Sequence, residues 1–100
     1  MTRDATRRYL IAYDVADDQR RLRIAHKLTS FGDRVQYSVF IVDARPAKLV
    51  RLRLSLSRLI DQEVDSVLFC DLGPLGSEAA DRFDVMGRHR PLTDAEVIVL

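Results

Sequence analysis

Tyr9-Leu10-Ile11-Ala12-Tyr13-Asp14-Val15, followed by Asp17-Asp18-Gln19-Arg20-Arg21-Leu22-Arg23, is a strand running into a helix. The first seven residues are apolar, β-branched or aromatic, as in a short buried strand. Asp14 is the exception, placed near the strand's end. An ionised carboxylate withdrawn from water costs several kcal/mol unless a cation or a hydrogen-bonded partner compensates it. Asp14 therefore calls for either an arginine partner or a metal ion. Strand ends beside loops are common places for chemistry.

The helix that follows is expected from about Asp18 to Phe31, with Asp17 or Asp18 as N-cap and Gly32 as the stop. Leu22, Ala25, Leu28 and Phe31, with Ile24 beside them, form the stripe expected to be buried. Arg20, Arg23 and Lys27 lie on another stripe, with Arg21 near its edge. Such a face is more often simply solvated, but its start only a few residues after Asp14 raises the reading as a phosphate-binding surface. Arg34 to Asp43 reads as extended, with a kink at Gln36-Tyr37-Ser38 that splits it into two strands. Pro46 suits the first turn of a second helix. Leu52 to Ser57 alternates like a strand, but Leu49, Leu52, Leu56, Leu59 and Ile60 form a helical stripe over the longer window. An acidic loop, Asp61 to Asp65, leads to a strand from Ser66 to Leu72, then a Gly73-Pro74-Leu75-Gly76 loop. Arg82 to Arg88 is expected as a further short strand. Val97 to Leu100 is apolar and extended, and needs a sheet edge in its own subunit or in a partner.

The order β-α-β-β-α-β, plus one or two extra strands, is the α+β ferredoxin-like arrangement. It serves many unrelated functions, so the fold alone decides none. One hundred residues make one domain, 1–100, with residues 1–7 as an extension before the first strand and about 89–100 as a C-terminal segment. No apolar run approaches membrane-spanning length, and the first residues lack a signal peptide's apolar stretch, so no membrane and a cytoplasmic location are expected. The single cysteine, Cys70, excludes an intrachain disulfide and a cysteine-based zinc cluster, and is expected as a buried thiol. Residues 1–58 carry 13 Lys and Arg against 6 Asp, whereas residues 59–100 carry 3 Arg against 9 Asp and Glu. That polarity is the footprint of a polyanion-binding surface, or of solvated helix faces.

Tyr13-Asp14-Val15, then Arg20-Arg21-Leu22-Arg23, then Phe31-Gly32-Asp33-Arg34-Val35-Gln36-Tyr37-Ser38-Val39-Phe40 form an ordered series. It resembles the small CRISPR-associated endonuclease family, the second of the two core spacer-acquisition proteins, over about Tyr9 to Gly87. The resemblance implies a ferredoxin-like homodimer in which Asp14 faces its copy across the two-fold axis. The pair would hold a divalent ion, Mg²⁺ or Mn²⁺, that assists phosphodiester hydrolysis. One carboxylate is a poor Mg²⁺ site, whereas two with waters and a phosphate oxygen complete an octahedron. The resemblance further implies phosphate contacts for Arg20, Arg21, Arg23 and Arg34, and the basic stripe adds Lys27. Ser38 would bond a phosphate or the backbone, and Phe40 would be core or interface. The C-terminal segment would pair with the partner subunit. Partners would be RNA or DNA and the spacer integrase.

Other residues have plainer readings. Asp17 and Asp18 serve as caps, and Asp33, Asp43 and Asp71 as turn residues. His26 and His89 have no Cys or His partner at metal spacing. Three functions remain: a metal-dependent endonuclease acting through Asp14, a non-catalytic DNA-binding bridge in the integration complex, and an unrelated ligand-binding regulatory module. The arginine series disfavours the third.

Overall fold

The computed structural model describes residues 6–76 and 82–88. Its elements are β1 (Arg7–Asp14), α1 (Asp18–Thr29), β2 (Asp33–Gln36), β3 (Val39–Ala44), α2 (Pro46–Ser57) and β4 (Ser66–Pro74). All strand pairs are antiparallel, in the order β2-β3-β1-β4. This is the ferredoxin-like order, with β1 central and β4 at one edge.

The period of two decides what each face of the sheet does. From β1, Tyr9, Ile11 and Tyr13 enter the main core, where Phe40 and Val42 of β3 meet Ile24 and Leu28 of α1 and Leu52 and Leu56 of α2. Each fully buried side chain of this size contributes about 1.5–3 kcal/mol of transfer free energy. Leu10, Ala12 and Asp14 alternate with the core residues and lie on the opposite face. Cross-strand partners share a face, so Leu10 sits beside Ile41 and Cys70, Ala12 beside Val39 and Leu68, and Asp14 beside Ser66. Both helices pack on the first face. On the second, a smaller cluster joins Val35, Ile41 and Leu72, with Leu10, Val39 and Phe83 packed against it.

α1 starts where its cap puts it: the Asp17 carboxylate accepts the Arg20 backbone N–H at 2.9 Å. It ends at Thr29 with Ser30 as C-cap, earlier than the expected stop at Gly32. Gly32 is needed for another reason. A Cβ there would collide with the Ile41 carbonyl oxygen and lie 2.8 Å from Val42 Cγ2, so glycine lets the chain entering β2 press against β3. Pro46 opens α2, and the leucine stripe prevails over the local alternation. The expected split falls at the Tyr37–Ser38 turn between β2 and β3.

Three expectations are corrected. Leu22 is 71% exposed, because the buried stripe of α1 is Ile24, Ala25 and Leu28 and Leu22 lies beyond its edge. Cys70 is exposed, because β4 turns it to the face that the helices leave open. Residues 82–88 form no strand; Phe83 packs on the smaller cluster instead, and Gly87 takes a positive φ of 88°. Val97 to Leu100 and His89 lie outside the described residues. No helix among the described residues is long and apolar enough to cross a membrane.

Candidate metal and nucleic-acid site

Asp14 is the last residue of β1 and is exposed. The desolvation expected for it is absent within one chain: it sits on the helix-free face, at the end where β1 leaves the sheet. Its carboxylate makes no hydrogen bond or ion pair among the described residues, although arginines follow within seven positions. Beside it on the same face are Ala12, Val39 and Leu68, and Leu68 is 62% exposed. Among the described residues, no three His, Cys, Asp or Glu side chains stand together as a metal cluster.

The arginines after Asp14 have separate fates. Arg20 grips Asp65 with two bonds, Nε to Oδ2 at 2.7 Å and Nη2 to Oδ1 at 3.1 Å. The Asp65 side chain has no exposed surface, and its Oδ2 also accepts the Asp61 backbone N–H at 2.8 Å. The Arg20 hydrogen bonds first, and that N–H second, hold the Asp65 carboxyl below the usual carboxylate range. Arg21 donates to the Val15 carbonyl at 2.8 Å and the Ala16 carbonyl at 3.2 Å, and pairs with Asp18. It thereby staples the β1–α1 connection that carries Asp14. Arg23 and Lys27 form no ion pair among the described residues and stay available to an anion.

Arg34 lies on the helix side of the sheet, opposite Phe40 in the β2–β3 ladder. Its guanidinium carbon is 5.3 Å from the Phe40 ring centroid and 5.6 Å from that of Tyr37. Its Nη2 donates to the Tyr13 hydroxyl at 3.4 Å, and its Nε is buried without a partner among the described residues. The Tyr13 hydroxyl in turn donates to the Tyr37 carbonyl at 3.3 Å, and the Tyr13 backbone N–H to the Ser38 carbonyl at 3.0 Å. Phe40 is a fully buried core residue, its ring 6.3 Å from that of Tyr13. The Ser38 hydroxyl has no hydrogen-bond partner among the described residues.

The structure thus brings Arg21, Arg34 and Tyr37 around one recess, draws Arg20 toward Asp65, and sets Asp14 on the other face of β1. Sequence reading placed Tyr13 and Tyr37 within motifs but gave no site role to Tyr37, Tyr13 or Asp65. The alternation of β1 is the one signal that could have separated Tyr13 from Asp14 in advance. Nothing local pairs Arg20 with a residue 45 positions away.

Residues 7–75 match the family described as CRISPR associated protein Cas2. A Synechocystis protein named CRISPR-associated endoribonuclease Cas2 3 is 39% identical over 85 residues, covering 85% of this chain and 88% of the relative. A Thermus thermophilus protein named CRISPR-associated endonuclease Cas2 2 is 43% identical over 61 residues, covering 61% of this chain and 68% of the relative. Among solved structures, the hypothetical protein TT1823 from Thermus thermophilus superposes with a TM-score of 0.73 at 33% identity, covering 87% of this chain and 98% of its own. Streptococcus pyogenes Cas2 superposes with a TM-score of 0.68 at 30% identity, over 80% of this chain and 99% of its own. With its ferredoxin-like sheet and these matches over most of its length, the chain belongs to the CRISPR-associated protein Cas2 family.

Proposed function

We propose that this protein is a metal-dependent endonuclease of CRISPR spacer acquisition, acting in the cytoplasm as a homodimer that hydrolyses phosphodiester bonds of RNA or DNA. The observation that carries the reading is that, among the described residues, Asp14 is an exposed carboxylate without a partner, beside apolar side chains that neither α1 nor α2 covers. The endoribonuclease and endonuclease names of the relatives support phosphodiester cleavage as the reaction.

A second copy related by a two-fold axis on this face contributes its own Asp14. The donor set fits Mg²⁺ or Mn²⁺: hard cations accept one or two carboxylates and complete their shell with water and phosphate oxygens. When bound, such an ion supplies charge neutralisation at the scissile phosphate and an acidified water. The rest falls to the chain's own groups. Arg21 fixes the loop that follows Asp14, and Arg20 ties α1 to Asp65. Arg23 and Lys27 present unpaired cations to the phosphate backbone. Arg34 braces the turn that carries the free Ser38 hydroxyl. Apolar contact through Leu68, Ala12 and Val39 holds the subunits together and keeps the two carboxylates in register. Among the described residues β4 has one unpaired edge, and an unpaired edge is a place where a partner subunit can add a strand.

A second reading, a non-catalytic DNA-binding bridge between copies of the spacer integrase, is favoured by Arg45, Arg51 and Arg58. These lie outside the α1 series and form no ion pair among the described residues. The deciding experiment is cleavage of single-stranded RNA and of duplex DNA by the purified protein, with Mg²⁺, with Mn²⁺ and with chelator, beside Asp14→Ala. Metal-dependent cleavage by the wild type and none by a variant that still sediments as a dimer is the expected result. Equal silence of both, with salt-sensitive DNA binding retained, replaces the nuclease with the bridge.

A further inference from the structure

We propose that the Arg20–Asp65 pair positions Asp14: it locks the open end of the β1–β4 ladder, so that the carboxylates of two copies are held where one metal ion can take both. The proposal rests on the nuclease reading above and names the residues that set the geometry of its site.

Asp65 is the one buried polar or charged residue among the described residues, and its side chain has no exposed surface. A buried carboxylate is costly, and an apolar pair of similar volume is often as stable as an ionic one or more so. Stability alone is therefore a weak reason for this pair. What it adds is geometry. A guanidinium fork on a carboxylate fixes both distance and orientation, here through bonds of 2.7 and 3.1 Å.

The acceptor is itself held. Residues 61–65 form a turn closed on itself. The Asp65 N–H donates to the Asp61 carbonyl at 2.8 Å, and the Asp61 N–H donates back to the Asp65 carboxylate at 2.8 Å. The Asp61 carboxylate accepts the Glu63 N–H at 3.0 Å.

The place of the pair in the fold gives that geometry its use. Asp14 and Ser66 are the last partners of the β1–β4 ladder. On its other side β1 pairs with β3 only as far as Ala12, with one further bond from the Tyr13 N–H to the Ser38 carbonyl. Among the described residues, Asp14 thus has a neighbouring strand on the β4 side alone. Just beyond it the two chains part, one through the Asp17 cap into α1 and the other toward Asp65. Ends of this kind fray first. Arg20, in the first turn of α1, and Asp65, next to Ser66, rejoin the chains and close a ring around the β1–α1 connection. Arg21 holds that connection from within, through the Val15 and Ala16 carbonyls. A reacting group has to be held within about 0.5 Å of its productive place. Asp65 acts through Asp14 and is a positioning residue.

The test is a double-mutant cycle of Arg20→Met and Asp65→Leu, with Arg20→Lys beside it. The readout is steady-state cleavage in saturating Mn²⁺ of whichever probe the wild type cuts, single-stranded RNA or duplex DNA. Asp65→Leu is expected to lower kcat about tenfold or more and to leave KM within about twofold, because displacing a reacting group costs rate rather than binding. Arg20→Lys keeps the charge but loses the fork, and kcat should fall there too. The double variant should be no slower than the slower single one. It should melt close to the wild type, since an apolar pair replaces the ionic one, and yet stay slow. Amide hydrogen exchange, which needs no activity, should be faster in the variants at residues 13–15 and 66–67 and unchanged at Ile11. Cleavage that recovers in the double variant together with its melting temperature makes the pair merely structural and overturns the proposal. Wild-type kcat in the folded single variants overturns it as well. If Asp65→Leu does not fold, the double variant and Arg20→Lys decide the matter. A wild type that cuts neither probe removes the nuclease reading, and this inference with it, whereas an active wild type with equally active variants removes this inference alone.

Discussion

Tyr9, Ile11 and Tyr13 point from β1 into the layer beneath the helices and are nearly stripped of water, while Leu10, Ala12 and Asp14, interleaved with them, point to a face that no helix covers among the described residues. One strand thus carries the stability of the fold on one side and its candidate chemistry on the other. A carboxylate on the first face would have needed a buried partner. On the second it stays exposed and uncommitted, which is what a shared metal site between two copies requires.

Substitutions on the two faces should therefore do different things. The largest effect is expected at Asp14. Asp14→Ala should reduce metal-dependent cleavage to background while leaving the melting temperature within experimental scatter, as gel assays and calorimetry on the same preparation would show. A large loss of stability would mean that Asp14 is structural and would break the contrast. Next comes Ile11→Ala, which should cost about 2–5 kcal/mol in urea unfolding, the usual range for emptying a packed core site. Leu68→Ala, on the other face, should stay within about 0.5 kcal/mol at protein concentrations where the chain is monomeric. Leu68→Glu sharpens the comparison further. It should weaken self-association by at least about tenfold, or 1.4 kcal/mol, in sedimentation equilibrium, without unfolding the subunit. Dimer affinity unchanged in this variant would exclude the helix-free face as the interface.

The smallest effect concerns pH. Asp65 has its folded-state pKa lowered by Arg20 and the Asp61 N–H. Its contribution to stability is full above the unfolded carboxylate value of about 3.9. It is lost as the pH falls through that value toward the lower folded one. Wild-type melting temperature should fall on acidification through this window, and Asp65→Asn should show a shallower fall. Parallel curves would mean that the Arg20–Asp65 pair is not the acid-sensitive element.

Much of this was legible along the chain. The alternation of β1, the Asp17 cap, Pro46 and the leucine stripe of α2 are local signals, and each gave the right element. The kink at Tyr37–Ser38 was legible without a glycine or proline because polar residues interrupt two apolar runs. Periodicity failed where it had to choose which face a neighbour would cover. Cys70 lies in an apolar run and yet is exposed, because the helices pack on the other face of β4. Leu22 fits a helical stripe drawn one position too wide, and water decides that edge. Residues 82–88 have strand composition, but composition cannot provide a strand to pair with.

The candidate site divides along the same line. Sequence alone determined the order of elements, the position of Asp14 at a strand end, and the basic series that follows it, because backbone propensity, capping and side-chain period act over a few residues. Tertiary structure alone decided which of those charges remain free. Arg20 meets Asp65 across 45 positions and Arg21 turns back on its own loop, while Arg23, Lys27 and Asp14 keep no partner among the described residues. Ion pairing depends on distance in space, and only the folded chain sets that distance.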